Sequence, residues 1–376
     1  MKEVRIGIIG LGGMGFNHAK YILKDTVQGG RLTAVCDIDP ARLELAKAEF
    51  GDKVQRFDNV DVFFANAPVD AVLIATVHYT HPELAIKAFQ HNMHVLIEKP
   101  AGVYTKQVRE MNEEAEKSGK VFGIMYNCRT IPMYQKVRDL IVNGELGEIK
   151  RTNWIITTWY RTQRYYNSGG WRGTWEGEGG GVLLNQSPHQ LDLWQWICGM
   201  PERVRGFCHF GKYHDIEVED DVTAYVEYKN GATGTFITTT GEAPGTDRLE
   251  IAGDMGKIVV EDNKVLFWRL RHSERKYNLD SEGMFGKPEC WKCEIPVSGE
   301  VKGHAGITAN WVDSILNGTQ LLAPGIEGIN GLQISNAIYL STWLDDWVDI
   351  PVDEDLFYEK LNEKIKKIRF AHDLEQ

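Results

Sequence analysis

The sequence predicts an α/β domain on a doubly wound parallel sheet, followed by an α+β domain with a large, mainly antiparallel open sheet. Three observations carry this. In the first 125 or so residues, short β-branched runs alternate with amphipathic stretches of helix length. Beyond about Lys150 longer alternating strands take over, separated by hairpin turn residues. A chain of 376 residues is also too long for one ordinary core. The boundary is drawn at 126/127.

In the first domain Val4–Ile9, Leu32–Cys36, Ala71–Ala75, His94–Ile97 and Val121–Ile124 are apolar and of strand length. Nearly continuous apolar strands belong to a sheet covered on both faces. Between them Met14–Lys24, Pro40–Phe50, Pro82–His91 and Thr105–Ser118 predict helices. Pro40 and Pro82 suit a first turn, and Gly119 suits a C-cap. In the second domain Val222–Tyr228, Ala232–Thr240, Arg248–Ala252 and Lys257–Glu261 predict strands, with turns at Asn230-Gly231 and Asp254–Gly256. Helical periodicity returns at Asn185–Ile197, Ala305–Leu316, Gly328–Trp347 and Asp355–Phe370.

Composition narrows the functional classes. A formal net charge of −11 opposes general attraction to nucleic acid or anionic lipid. No segment approaches the ~18 apolar residues that a membrane span needs. Met1-Lys2-Glu3 runs directly into an apolar strand and leaves no room for a secretory leader, so a cytoplasmic location is expected. The six cysteines are scattered, and Cys290-Trp-Lys-Cys293 has no second pair nearby to complete four zinc ligands. Ordinary reduced thiols are expected, and no metal.

The clearest chemical signal is Gly10-Leu-Gly12-Gly13-Met14-Gly15, which leaves a strand and opens a helix. In that context Gly10 permits a tight turn, Gly12 admits a pyrophosphate against the backbone, and Gly15 lets helix and strand pack closely. The phosphates then meet a helix N-terminus, where backbone N–H groups and the dipole favour anions. Asp37, about twenty residues on at the end of the second strand, can accept hydrogen bonds from the adenosine ribose and repel a 2′-phosphate. NAD is therefore expected over NADP.

Further along stand Ile74-Ala-Thr76, His81-Pro82 and Glu98-Lys99-Pro100, then Gly179–Gly181 leading to His189-Gln-Leu-Asp192, Glu219-Asp-Asp221, Asn230-Gly231, Ile251-Ala-Gly253 and Asn317-Gly318. With the glycine loop, these motifs are similar to those of the glucose–fructose oxidoreductase/inositol dehydrogenase (Gfo/Idh/MocA) family over nearly the whole chain. The resemblance implies hydride transfer between nicotinamide and a secondary alcohol or ketone of a sugar, glycoside or inositol. It places Lys99 beside the nicotinamide and substrate, with Gly13, Met14, Thr76, His78, His81, Glu98 and Asn127 completing the cofactor site. It also implies a homodimer or homotetramer.

His189 is the expected general base, because a neutral imidazole can take the proton of an alcohol as hydride leaves. Family members commonly carry Asp-x-x-x-His here. This chain has Asn185-Gln-Ser-Pro-His189, and an amide can orient a hydroxyl but cannot relay a proton. Asp192, one turn beyond His189, is a candidate substrate contact or a residue that merely steadies the imidazole. Asn127 and Arg129 are also candidate substrate contacts, although Arg129 equally suits a structural ion pair. Six of the eleven tryptophans fall between 154 and 196. Among them Trp171, with Arg172 beside it, is a candidate for stacking on a sugar ring, whereas tryptophan clusters generally belong to cores. Two rival readings stand: an NAD-dependent glycosidase or lyase that recycles its cofactor in place, and a nucleotide sensor without catalysis. A metal site built from Glu176, Glu178, His189 and Asp192 lacks a spacing that would put them on one face.

Overall fold

A computed structural model of the chain describes residues 2–375. The chain divides into two compact units: residues up to Thr130 together with Lys302–Leu332, and Ile131–Val301 together with Gln333 onward.

The first unit holds a six-stranded sheet of β1 (Val4–Ile9), β2 (Gly30–Cys36), β3 (Gln55–Phe57), β4 (Ala71–Ile74), β5 (His94–Ile97) and β6 (Phe122–Ile124). Its order is β3-β2-β1-β4-β5-β6 and every pairing is parallel. This is the doubly wound order, with its reversal point between β1 and β4, where such sheets take ligands at their carboxyl ends. The connecting helices are α1 (Gly13–Leu23), α2 (Pro40–Phe50), α3 (Val60–Asn66), α4 (Thr80–Gln90) and α5 (Thr105–Ser118). Burial follows from this layering, since every residue of β4 is buried. α2 starts where the sequence expects: Asp39 caps it by accepting from Ala41 N, with Pro40 in the first turn. β3 and α3 carry no periodic signature of their own, being too short to show one.

The second unit is built on a nine-stranded sheet of β7 (Ile149–Ile156), β8 (Arg203–Phe210), β9 (Glu219–Glu227), β10 (Thr233–Thr239), β11 (Asp247–Gly253), β12 (Gly256–Glu261), β13 (Lys264–Leu270), β14 (Cys290–Ile295) and β15 (Val348–Asp349). The order is β14-β13-β12-β11-β7-β10-β9-β8-β15, with one parallel pair, β10 on β7. Alternate residues are buried along β8, β9 and β10, which marks a sheet covered on one face. On the covered face Trp194 stacks on Phe236 at 5.4 Å between ring centroids, and Trp154 meets the same ring edge-on at 6.5 Å. The opposite face leaves Phe207 48% and Tyr225 36% exposed.

Helices α6 (Pro132–Val142), α7 (Gln163–Tyr166), α8 (Pro188–Cys198) and α9 (Glu274–Asp280) belong to this unit. α8 begins three residues later than the sequence predicts. Pro188 takes a first-turn position, where its missing N–H costs nothing, so Asn185 lies on the preceding turn and not on the helix. α10 (Gly303–Asn317) then returns to the first unit and packs on α1 and β1. α11 (Gly328–Leu344) and α12 (Glu354–Glu375) complete the chain. Among the described residues no helix is long and apolar enough to cross a membrane.

Candidate active site

The loop from β1 to α1 has the shape that its glycines imply. Gly10 adopts φ +90°, and a Cβ there would stand 2.6 Å from the carbonyl oxygen of Ala75. A Cβ on Gly15 would stand 1.8 Å from the carbonyl oxygen of Gly10, so the helix approaches the loop as closely as backbone allows. Gly12 and Gly13 differ, because a Cβ on either meets nothing within 4 Å. Their side of the loop is open, and no side chain caps α1 at Gly12. An open, uncapped helix start is a ready anion site, and the residues present fit a dinucleotide pyrophosphate.

Asp37 stands over this loop, accepting from Leu11 N at 2.5 Å and from Asp39 N at 2.9 Å. A carboxylate has about four acceptor positions, so ribose hydroxyls can still be received. Asp37→Asn keeps an acceptor for Leu11 but removes the charge that repels a 2′-phosphate. The ratio of kcat/KM for NAD over NADP should fall about tenfold, a charge-assisted contact being worth ~1.5–3 kcal/mol. An unchanged ratio would remove Asp37 from cofactor discrimination.

At the carboxyl end of the same sheet, β4 and β5 deliver Thr76, His78, His81, Glu98 and Lys99. His81 is buried between the carbonyl oxygens of Pro100 (2.8 Å) and Thr76 (3.1 Å). Burial lowers its pKa, against the raising effect of those carbonyls and Glu98, so the ring is neutral and donates to one of the two. It thereby braces the loop after β4 against the loop after β5. Lys99 is half-buried, and its backbone N–H donates to Glu98 Oε2 at 3.1 Å.

Glu98 itself belongs to a network that sequence reasoning missed. Its Oε1 lies 2.6 Å from His18 Nε2, His18 Nδ1 lies 2.5 Å from the Tyr21 hydroxyl, and that hydroxyl lies 2.6 Å from Thr308 Oγ1. His18 is fully buried and Glu98 nearly so. α1 and the returning α10 thus fix the residue next to Lys99. A histidine three residues past Gly15 was the only available signal.

In the second unit, the chain between Gly179 and α8 is held from below by a buried carboxylate. Glu219 accepts from Gly181 N (2.8 Å), Leu183 N (2.8 Å) and the Tyr339 hydroxyl (2.7 Å). Burial pushes it up to about 7, against these three donors. Ser187 Oγ lies 2.8 Å from Thr238 Oγ1 and ties the start of α8 to β10. These anchors present Asn185 on the turn and His189, half-buried, in the first turn of α8. Asp192 is buried one turn further on and accepts from Gln195 Nε2 at 3.1 Å.

Near Asn185 the aromatic cluster separates into two kinds. Trp154, Trp175 and Trp194 are core residues, each at most 2% exposed. Trp171 instead packs against Arg172, whose guanidinium lies 4.5 Å from the Trp171 ring and 4.4 Å from the Tyr165 ring. Arg172 donates to the Tyr165 hydroxyl at 2.5 Å, and its Nη1 lies 3.9 Å from Glu178 Oε1. The same hydroxyl stands 3.2 Å from Asn185 Nδ2 and 3.1 Å from Gln186 Nε2. A phenol has one proton and two lone pairs, so three donors exceed its capacity. Turning the Gln186 amide to present Oε1 resolves this and partners an oxygen otherwise buried without one.

The remaining candidates lie in the first unit. Arg129 is fully buried and donates to the Leu322 carbonyl (3.1 Å) and to Glu327 Oε2 (2.6 Å), tying the turn at 127–130 to the returning segment. Asn127 Oδ1 is buried without a hydrogen-bond partner, a state that a ligand donor relieves. Cys290 and Cys293, by contrast, sit an odd number of residues apart on β14 and face opposite sides of the sheet.

Two family models match the chain: an oxidoreductase family with an NAD-binding Rossmann fold over residues 4–126, and the GFO/IDH/MocA C-terminal domain over residues 134–259. The chain is 25% identical over 266 residues to scyllo-inositol 2-dehydrogenase (NAD(+)) of Bacillus subtilis strain 168, covering 69% of this chain and 74% of that protein. It is 29% identical over 247 residues to D-glucoside 3-dehydrogenase of Escherichia coli K12, covering 61% and 68%. The WlbA dehydrogenase of Bordetella pertussis, solved with NADH and UDP-GlcNAcA, superposes with a TM-score of 0.78 at 25% identity, covering 93% of this chain and all of the other.

Proposed function

The chain belongs to the Gfo/Idh/MocA family of NAD-dependent oxidoreductases acting on CH–OH groups, and from that premise we propose that it dehydrogenates a secondary alcohol of a sugar, glycoside or inositol, with Lys99 and His189 as its catalytic pair. The observation that carries this reading is the position of Lys99. It follows β5 at the same carboxyl edge at which the open Gly12–Gly13 loop follows β1.

NAD, when bound, supplies the hydride acceptor. The glycine loop and Asp37 hold its pyrophosphate and ribose, and Asn127, with its unpartnered Oδ1, suits a carboxamide donor. His189 takes the hydroxyl proton as the C–H bond breaks, and the Lys99 ammonium stabilises the developing alkoxide. Asn185 and Asp192 orient the polyol, and Trp171 with Arg172 offers a flat wall for a ring.

The test follows absorbance at 340 nm with NAD and NADP against inositols, free sugars and glycosides. NADH formation with one of these classes is expected. Release of aglycone without net NADH would replace this reading with internal cofactor recycling, and no reaction with any polyol would overturn it. The half-exposed Phe207 and Tyr225 on the open sheet face support a homodimer or homotetramer. Sedimentation at micromolar concentration should show one, and a monomer alone would count against it.

A further inference from the structure

We propose that Glu178 is a positioning residue for the substrate site, turning the Asn185 amide so that Asn185 meets every other partner as an acceptor, through Oδ1. Glu178 is 1% exposed, in the turn ahead of the glycine run. One of its oxygens accepts from Gly173 N at 2.6 Å. The other accepts from Asn185 Nδ2 and faces Arg172 Nη1 at 3.9 Å.

An ionised carboxylate only accepts, so it can face Asn185 only through the amide nitrogen. The two amide protons are then directed to Glu178 and to the Tyr165 hydroxyl. What the turn offers to anything else at position 185 is a carbonyl oxygen of fixed direction, which recognises a donor such as a substrate hydroxyl. Glu178 also offsets the charge of Arg172, which lies over the rings of both Tyr165 and Trp171. The cluster therefore presents a neutral acceptor beside aromatic walls, which suits an uncharged polyol ring better than a sugar acid. This rests on the reading of Asn185 as a substrate contact.

The polarity of the pair can be exchanged without changing its shape. Asn185→Asp alone sets a second carboxylate against a buried one. The melting temperature should fall by several degrees, more at pH 8 than at pH 5, and kcat/KM should fall about a hundredfold, the order of one lost charge-assisted contact. In Glu178→Gln/Asn185→Asp the amide and carboxylate trade places, and position 185 still offers an acceptor. Stability should return to within a few degrees of wild type with the added pH dependence gone, and at least tenfold of the lost kcat/KM should be regained. A merely structural Glu178 predicts no such recovery of activity. Full activity and stability of Asn185→Asp at pH 8, or a double variant no better than that single one, would overturn the proposal. Absence of turnover in the wild-type enzyme would instead sink the functional reading and the substrate role with it, while the melting comparison would still decide whether Glu178 fixes the Asn185 amide.

Discussion

Lys99→Ala should lower kcat by about a thousandfold while NAD still binds within a few-fold of wild type. The magnitude is that of removing one preorganised charge from a developing oxyanion, with any share in proton transfer adding to it. The expectation of intact binding has a structural basis. The glycine loop and Asp37 are built from the other strands of the sheet, and the contact of the Lys99 backbone with Glu98 survives the substitution. Lys99→Arg should recover little, since a planar, delocalised fork does not reproduce a compact ammonium. Steady-state absorbance at 340 nm at saturating substrate gives kcat, and titration of NAD by calorimetry gives affinity. A purified variant with near wild-type turnover would remove Lys99 from the chemistry. A variant that loses NAD binding in proportion to turnover would make it a cofactor ligand instead. His189→Ala should share the loss of kcat, and if the pair acts as a unit the double variant should fall little further than either single one.

How much of this was legible in the sequence depends on how far apart the cooperating residues stand. The glycine loop, the second-strand Asp37 and the Glu98-Lys99-Pro100 motif are local, and each carries its geometric reason within a few residues: a positive φ at Gly10, a close approach at Gly15, a strand end before Lys99. Hairpin chemistry likewise announced the second sheet, because Asn230-Gly231 fixes a turn by itself. α8 starts three residues later than the sequence predicts because the polar run Asn185–Ser187 marks no boundary by its pattern, whereas Pro188 sets the first turn. What stayed hidden joins distant positions. His18 and Glu98 are 80 residues apart, Tyr21 and Thr308 are 287 apart, and Glu219 reaches back to Gly181. No periodicity marks such partners, since a buried histidine in a helix looks the same whether it meets a carboxylate or a water.

That hidden pair yields the largest stability effect. Glu98 is buried, which alone would push its pKa up. The hydrogen bond and charge of His18, with smaller help from Lys99 and His304, instead hold it at about 2. A carboxyl whose folded value lies below its unfolded value of 4.5 contributes stability that is present above about pH 4.5 and lost as pH falls through about 2. At ~1.4 kcal/mol per unit this amounts to about 3 kcal/mol. His18→Ala removes the partner and leaves the carboxylate to burial, so the sign reverses. The raised carboxyl now favours the folded state when protonated, and the variant loses stability as pH rises above 4.5. Breaking a buried pair in this way costs ~3–5 kcal/mol, or about 10 °C in a unit of this size. The deficit against wild type should therefore be widest near pH 8 and narrowest near pH 4. Adding Glu98→Gln, which removes the stranded charge, should recover part of it at pH 8 and little at pH 4. Melting temperatures of the three proteins at the two pH values make the comparison. A deficit of the same size at both pH values would mean that His18 contributes packing alone and that Glu98 is held by something else.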